Sequence, residues 1–298
     1  MSRKFHGVAV DAGSGLAASL IQARGVDAQA DDLLTFKRSI LEELGPFAST
    51  VLVDAALGPT LLDSYPDECA RMMAFEADVY HISGEDRITV LPENLKVADL
   101  PGMGVELLKF FMYYAPDDAP ALNRQKQDLV EEIGRRCHAA RVQYLMEPLV
   151  YHSTLLPGSE AYARHKPEMV RAATAAFAEP RFKADVLKVE IPVDLDYVAG
   201  FGAPVMSREA ALDAFRACAE AANGIDLVYL SAGVTFERFE ASLKMAVEAG
   251  VTFHGFMCGR AIWSDAVDVF GEGGETVLRK WLQETGVMRL QRLIEAVS

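Results

Sequence analysis

The chain reads as a single (β/α)8 barrel, on three observations. Its 298 residues suit a fold that closes at roughly 250 residues and tolerates insertions. Short apolar runs of β type recur along its whole length, separated by amphipathic helical stretches. No Ser/Gly-rich linker or low-complexity segment divides it, so one domain over residues 1–298 is expected. A doubly wound open sheet is the alternative, but such a sheet usually has fewer strands and opens on a phosphate-binding glycine turn.

Taken in order, strands are expected over His6–Asp11, Thr50–Asp54, Asp78–Ile82, Val105–Phe111, Val142–Glu147, Asp185–Ile191, Leu227–Ser231 and Thr252–Cys258. Each is rich in Val, Leu, Ile, Phe or Tyr, and each is followed by a segment long enough for a helix. The 3.6-residue period is clearest over Ala119–Ala139, Glu168–Ala178, Ser207–Ala222, Phe236–Ala249 and Gly274–Glu284. Leu100-Pro101-Gly102 and Leu156-Pro157-Gly158 punctuate the joins, and Gly271 with Gly273-Gly274 reads as loop.

A hydrophobic fraction of 51% and a charged fraction of 24% leave ample material for a core. The net charge of −14 argues against nucleic-acid binding, which needs a basic face. It leaves room for an anionic small molecule, because local arginines and helix N-termini can outweigh the global sign. Cys69, Cys137, Cys218 and Cys258 lie far apart with no CxxC, and read as buried free thiols. The six histidines (His6, His81, His138, His152, His165 and His254) lack ligand spacing, so no metal is expected. With neither a signal-like leader nor a run of ~18 apolar residues, the expectation is a soluble cytoplasmic protein with no membrane contact.

The informative strand is Asp185–Ile191. Read with period two, Leu187, Val189 and Ile191 share one face, while Val186, Lys188 and Glu190 share the other. Strands of a parallel barrel are buried on both faces, and a lysine there is costly unless it is paired or working. Two readings stand side by side: a structural Lys–Glu pair, or an amine placed to form a Schiff base. Asp11, Lys109, Glu147, Ser231 and Arg260 also fall at or beyond the C-terminal halves of expected strands, the end where barrel chemistry sits. Two lysines facing one interior would each raise the cost of protonating the other, while Glu147 and Asp11 could move protons. Ser231-Ala232-Gly233 and Gly259-Arg260 have the small residues, following helix and guanidinium suited to a phosphate. Asp11-Ala12-Gly13-Ser14-Gly15 supplies a GxG without the GxxG completion of a dinucleotide site, and reads as an ordinary βα loop.

Several of these motifs occur together in a known order. Leu107-Leu108-Lys109-Phe110-Phe111-Met112-Tyr113-Tyr114, Met146-Glu147-Pro148, Pro180-Arg181-Phe182 with Asp185–Pro192, Leu230–Val234 and Cys258–Trp263 resemble the tagatose-1,6-bisphosphate aldolase family. This lysine-dependent, class I group includes sulfofructosephosphate aldolases. The resemblance implies Lys188 as Schiff-base lysine, Glu147 as acid/base and Lys109 as its assistant. It further implies Ser231, Gly233, Gly259 and Arg260 as ligands of the phosphate that leaves on dihydroxyacetone phosphate, with no cofactor.

Before Val105 the likeness weakens. The family's first strand usually ends Asp-Gln-Arg; here Asp11 matches, and Ala12 and Gly13 replace the other two. That loss, with Glu85 and Asp86 in the loop after the third expected strand, leads to the expectation of a ketose phosphorylated at C1 with a neutral far end. A sugar-phosphate sensor, a sulfofructosephosphate aldolase and a transaldolase-type transferase remain as alternatives. Met112, Tyr113, Tyr114, Trp263 and Trp281 are large groups outside the expected strand interiors, and on them rests the expectation of a homodimer.

Overall fold

The computed structural model describes residues 4–78, 82 and 86–298. Eight parallel strands close into a barrel in sequence order: β1 (Phe5–Ala9), β2 (Thr50–Val53), β3 (Ala70–Ala74), β4 (Leu107–Tyr114), β5 (Gln143–Val150), β6 (Val186–Glu190), β7 (Asp226–Leu230) and β8 (Gly255–Cys258). Closure is made by β8 on β1, with Phe5 opposite Gly255 and Val8 opposite Cys258.

Around the barrel run α1 (Ser14–Arg24), α2 (Asp32–Leu44), the single turn α3 (Gly58–Leu61), α4 (Pro120–Ala140), α5 (Glu160–Phe177), α6 (Arg208–Ala221), α7 (Phe236–Glu248), the single turn α8 (Arg260–Trp263), α9 (Ala266–Trp281) and α10 (Val287–Ala296). Their starts follow from capping chemistry. The side chains of Ser159, Ser207 and Thr235 accept from the backbone N–H three residues on, opening α5, α6 and α7. The Ser159 cap carries α5 eight residues upstream of the expected Glu168, straight through Pro167, which costs the helix one N–H.

The pleat sorts side chains as the period-two reading requires. Leu187, Val189 and Ile191 pack outward under the helices, whereas Val186 joins Phe5, Leu52, Met72, Leu107, Leu145, Val228 and Met257 inside the barrel. Gly7 belongs to this inner layer: an added Cβ would lie 2.8 Å from the Met257 side chain, so the missing side chain makes room for Met257. The lower interior is thus filled with apolar atoms, and Lys109, Glu147 and Lys188 stand on the same inward face nearer the mouth.

Four expectations need correction. The third strand is Ala70–Ala74, not Asp78–Ile82, of which residues 79–81 lie outside the described residues. Strand three is not followed by an α-helix among the described residues; a 3-10 segment, Val97–Met103, leads into β4. Gly271 and Gly273 are helical within α9, which kinks at Gly274 (φ 64°). Gly271 has a packing reason, since a Cβ there would lie 2.7 Å from the Ala23 carbonyl of α1. Finally, Met112, Tyr114 and Trp263 are buried, and Trp263 donates to the Ala9 carbonyl and packs against Phe36. The sizes of these three serve the core, whereas Tyr113 and Trp281 are half-buried.

Gly134 of α4 faces the Phe182 carbonyl, where a Cβ would collide with backbone. Gly134→Ala is therefore expected to destabilise the protein by about 1–3 kcal/mol, despite alanine's roughly 1 kcal/mol advantage in helix propensity. Denaturant unfolding checks this, and a stabilised variant would show that the Pro180–Phe182 turn yields freely.

Candidate active site

The buried charges converge at the C-terminal end of the barrel. Lys188, in the middle of β6, donates through Nζ to Glu147 Oε2 on β5 at 2.9 Å. Lys109 on β4 lies 2.7 Å from Asp11 Oδ2 and 3.5 Å from the same Glu147 oxygen, and it donates to Glu76. Glu147 thus stands between two ammonium groups, each less than 5% exposed. The strand register explains the meeting: Phe111 lies opposite Glu147 in the β4–β5 ladder, which sets Lys109 one inward position below it. The structural Lys–Glu pair within β6 is not formed. Glu190 instead accepts from the Val150 N–H at 2.8 Å.

Burial works against the charge on Lys109, but Asp11, Glu76 and Glu147 together hold its pKa well above that of an ordinary lysine. Lys109 is a fixed cation, and the expected mutual depression of the two lysines does not apply to it. Burial would also raise the Asp11 carboxyl, yet Lys109 and Lys188 overcome this and hold it at about 2. Asp11 is therefore an ionised partner of Lys109 at neutral pH.

Glu76 escaped the sequence reading. Burial pushes its carboxyl up to about 7, with Lys109 opposing and the charges of Asp11 and Glu147 adding to the rise. Its Oε2 is buried without a hydrogen-bond partner. The signal was present: an apolar run, Met72-Met73-Ala74-Phe75, ends on an acid, as the runs before Asp11 and Glu147 do. Placing strand three eight residues too late hid it.

The second cluster lies across β7 and β8. Ser231, Ala232 and Gly233 follow β7, and positive φ at Ala232 (50°) and Gly233 (81°) turns the chain sharply into α7. Arg260 lies against this turn, 2.8 Å from where a Gly233 Cβ would stand. Gly259 is required because a Cβ would strike the Ala9 carbonyl of β1. Ser231, Ala232, Gly233, Gly259 and Arg260 line the same cavity as Asp11, Lys109, Glu147 and Lys188. All nine expected site residues are thus brought to one opening.

Arg260 forms no ion pair among the described residues, whereas Lys109 and Lys188 are both held by carboxylates. The glycine loop after Asp11 is not open to a ligand in the same way: the Ser14 N–H at the start of α1 donates to the Asp78 carboxylate, which fills the space beside Gly13. On the opposite rim Lys126 is fully buried against Asp118 and the Tyr151 hydroxyl. Arg87 stacks over the rings of Tyr151 and Tyr113, at 4.3 and 5.4 Å from their centroids. Of the loop expected to be acidic, Asp86 is described and Glu85 lies outside the described residues. All four cysteines are buried and free, as expected. No helix among the described residues is long and apolar enough to cross a membrane.

The raised carboxyl of Glu76 has a thermodynamic signature. The native state binds this proton more tightly than an unfolded chain whose glutamates titrate near 4.5, so its contribution to stability falls as pH rises from there to about 7. Denaturant unfolding of wild type and Glu76→Gln across this interval is expected to show wild type losing stability relative to the variant. A constant difference would mean that Glu76 stays ionised.

Residues 6–265 match the family model described as DeoC/LacD family aldolase. The chain is 38% identical over 257 residues to the tagatose 1,6-diphosphate aldolases of Staphylococcus aureus strains JH9 and Newman, covering 85% of this chain and 78% of theirs. Among solved structures, a Plasmodium falciparum fructose-bisphosphate aldolase superposes with a TM-score of 0.69 at 13% identity, covering 98% of this chain and 91% of that one. An archaeal fructose 1,6-bisphosphate aldolase gives 0.59 at 13%, with 94% and 92% covered, and likewise shares the fold. The chain is an aldolase belonging to the DeoC/LacD family.

Proposed function

We propose that the protein is a class I aldolase, cleaving a ketose phosphorylated at C1 to dihydroxyacetone phosphate and an aldehyde through an imine on Lys188. The observation that carries this reading is the 2.9 Å contact of Lys188 Nζ with Glu147, inside a barrel whose mouth opens toward Arg260.

In this reading the C1 phosphate sits on the Arg260 guanidinium and the turn at Ser231–Gly233. Glu147 takes a proton from Lys188, and the freed amine adds to the C2 carbonyl. Glu147 then returns the proton to the carbinolamine oxygen, which leaves as water and gives the iminium ion. The C4 hydroxyl loses its proton to Glu147 as the C3–C4 bond breaks. Those bonding electrons move toward the iminium nitrogen, releasing the aldehyde and leaving an enamine. Protonation at C3 and hydrolysis of the imine release dihydroxyacetone phosphate and restore Lys188. Lys109 keeps a positive charge 3.5 Å from the Glu147 carboxylate throughout, favouring each step in which that group carries negative charge. Asp11 and Glu76 hold Lys109 in place.

Borohydride reduction with dihydroxyacetone phosphate, read by mass spectrometry, is expected to leave an adduct on Lys188; an unmodified Lys188 would refute the imine mechanism. Lys188→Arg should lose turnover altogether, because a guanidinium stays protonated. Glu147→Gln should lower kcat by about 10²–10⁴, the usual worth of a positioned acid/base.

A further expectation concerns the far end of the sugar. Arg260 is the cation that lines the cavity without a carboxylate partner among the described residues, and Arg87 is held on two tyrosine rings. Ketose 1-phosphates are therefore expected to equal or exceed the matching 1,6-bisphosphates in kcat/KM. A bisphosphate preference of roughly tenfold, about 1.4 kcal/mol, would show that a second anion grip forms at that rim.

A further inference from the structure

We infer that Glu190 is a specificity-determining residue that hydrogen-bonds a hydroxyl on the aldehyde half of the substrate. The inference rests on the imine reading, which fixes where that half must lie. With the C1 phosphate at β7 and β8 and C2 bonded to Lys188 on β6, the first three carbons lie between Lys188 and Arg260. The C4 hydroxyl must reach Glu147 to lose its proton, so C4 and the carbons beyond it extend over β5, away from Arg260.

Glu190 stands at this place. It lies two residues beyond Lys188 on the same strand face, about 6.6 Å nearer the mouth. The β5–β6 ladder ends at Met146 and Leu187, leaving a gap in the strand pairing beyond that point, where Leu149, Val150 and Glu190 line the cavity. Glu190 Oε2 bridges the gap by accepting from Val150 N–H at 2.8 Å. Leu149, Val150, Pro157 and Tyr162 line the same cavity, and the Tyr162 hydroxyl donates to the Val150 carbonyl. Glu190 itself is 8% exposed and lines the cavity. Its second oxygen has no protein partner among the described residues and, unlike Glu76 Oε2, is not sealed away.

A carboxyl anchored by one oxygen and offering the other is a rigid reader of a sugar hydroxyl. Burial raises its pKa, against the pull of Lys166 and the Val150 N–H and with the charge of Glu147 adding. Either form can meet a hydroxyl: the carboxylate accepts its proton, and the neutral acid both donates and accepts. A substrate lacking the hydroxyl would leave the buried group unpaired, which is the strongest source of discrimination an enzyme pocket has.

The test runs the reaction in the synthetic direction, with dihydroxyacetone phosphate and either glyceraldehyde or propanal as acceptor. Wild type is expected to favour glyceraldehyde by tenfold or more in kcat/KM. Glu190→Leu should reduce that ratio at least tenfold, and Glu190→Gln, which keeps a donor and an acceptor, should retain most of it. Borohydride trapping of dihydroxyacetone phosphate on Lys188 in each variant reports separately whether the rest of the site is intact. A ratio unchanged in Glu190→Leu, or equal use of both aldehydes by wild type, overturns the inference while leaving the imine mechanism standing. Loss of the trapped adduct in Glu190→Leu assigns Glu190 to holding β5 and β6 together, and also overturns it. Failure of wild type to form the adduct overturns the imine reading, and this inference with it.

Discussion

The constraint on which the mouth of this barrel depends is the burial of the Lys109 ammonium. Moving such a charge out of water costs several kcal/mol unless opposite charge and hydrogen bonds replace the lost hydration. Here the replacement comes from three places in the chain: Asp11 beyond β1, Glu76 beyond β3 and Glu147 on β5. One side chain thereby ties the ends of distant strands into a single electrostatic unit. Removing it would leave three carboxylates facing one another at close range. The unit also fixes Glu147, whose Oε2 is held from one side by Lys109 and from the other by Lys188. In the proposed reaction Glu147 must be held while Lys188 reacts, and a cation beside it does this without taking up or losing a proton itself.

Below this layer the barrel is apolar. Met72, Leu107, Leu145, Val186, Val228 and Met257 fill the interior, with Gly7 giving space to Met257. The division lets packing stabilise one end of the molecule while the other carries charge that packing would not choose. It also answers the period-two puzzle of β6: the same inward face that carries Val186 in the packed layer carries Lys188 and Glu190 one and two steps higher.

Strands β4 to β7 were legible in the sequence because Val, Leu, Phe and Tyr dominate them, and β8 because its short apolar run stops at Gly259. The catalytic candidates were legible for the same reason, as charges are conspicuous against apolar runs. Strand β3 was not. Ala70, Met72 and Ala74 face the interior, and neither alanine nor methionine advertises a strand, whereas Val79-Tyr80-His81-Ile82 does. Glu76 was lost with it, and with Glu76 the explanation of why Lys109 stays charged. The idea that two lysines must depress each other failed on the same point, since it counted cations and missed the carboxylates between them. No single-strand pattern reports such a balance, because its members come from three separate loops and strands. The part proposed for Glu190 was hidden differently, because its partner is a backbone N–H on the neighbouring strand, beyond the end of the β5–β6 ladder.

A chain with a net charge of −14 that is proposed to cleave a phosphorylated sugar needs its positive potential placed, not merely present. Screening confines surface charge to about 10 Å at 0.1 M salt, so the global sign matters little at the bottom of a cleft. What matters is which cations remain uncommitted there. Lys109 and Lys188 are balanced by carboxylates, and the amide at the start of α1 is taken by Asp78. Among the described residues that line the cavity Arg260 remains, lying against the Gly233 turn at the junction of β7 and β8. Attraction for an anion is therefore concentrated at one edge of the opening, while the β5–β6 edge offers apolar walls and the carboxyl of Glu190. In the proposed reaction that asymmetry would orient a ketose phosphate end to end, its charged carbon toward Arg260 and its hydroxylated carbons toward Glu190, with the carbon to be attacked lying over Lys188.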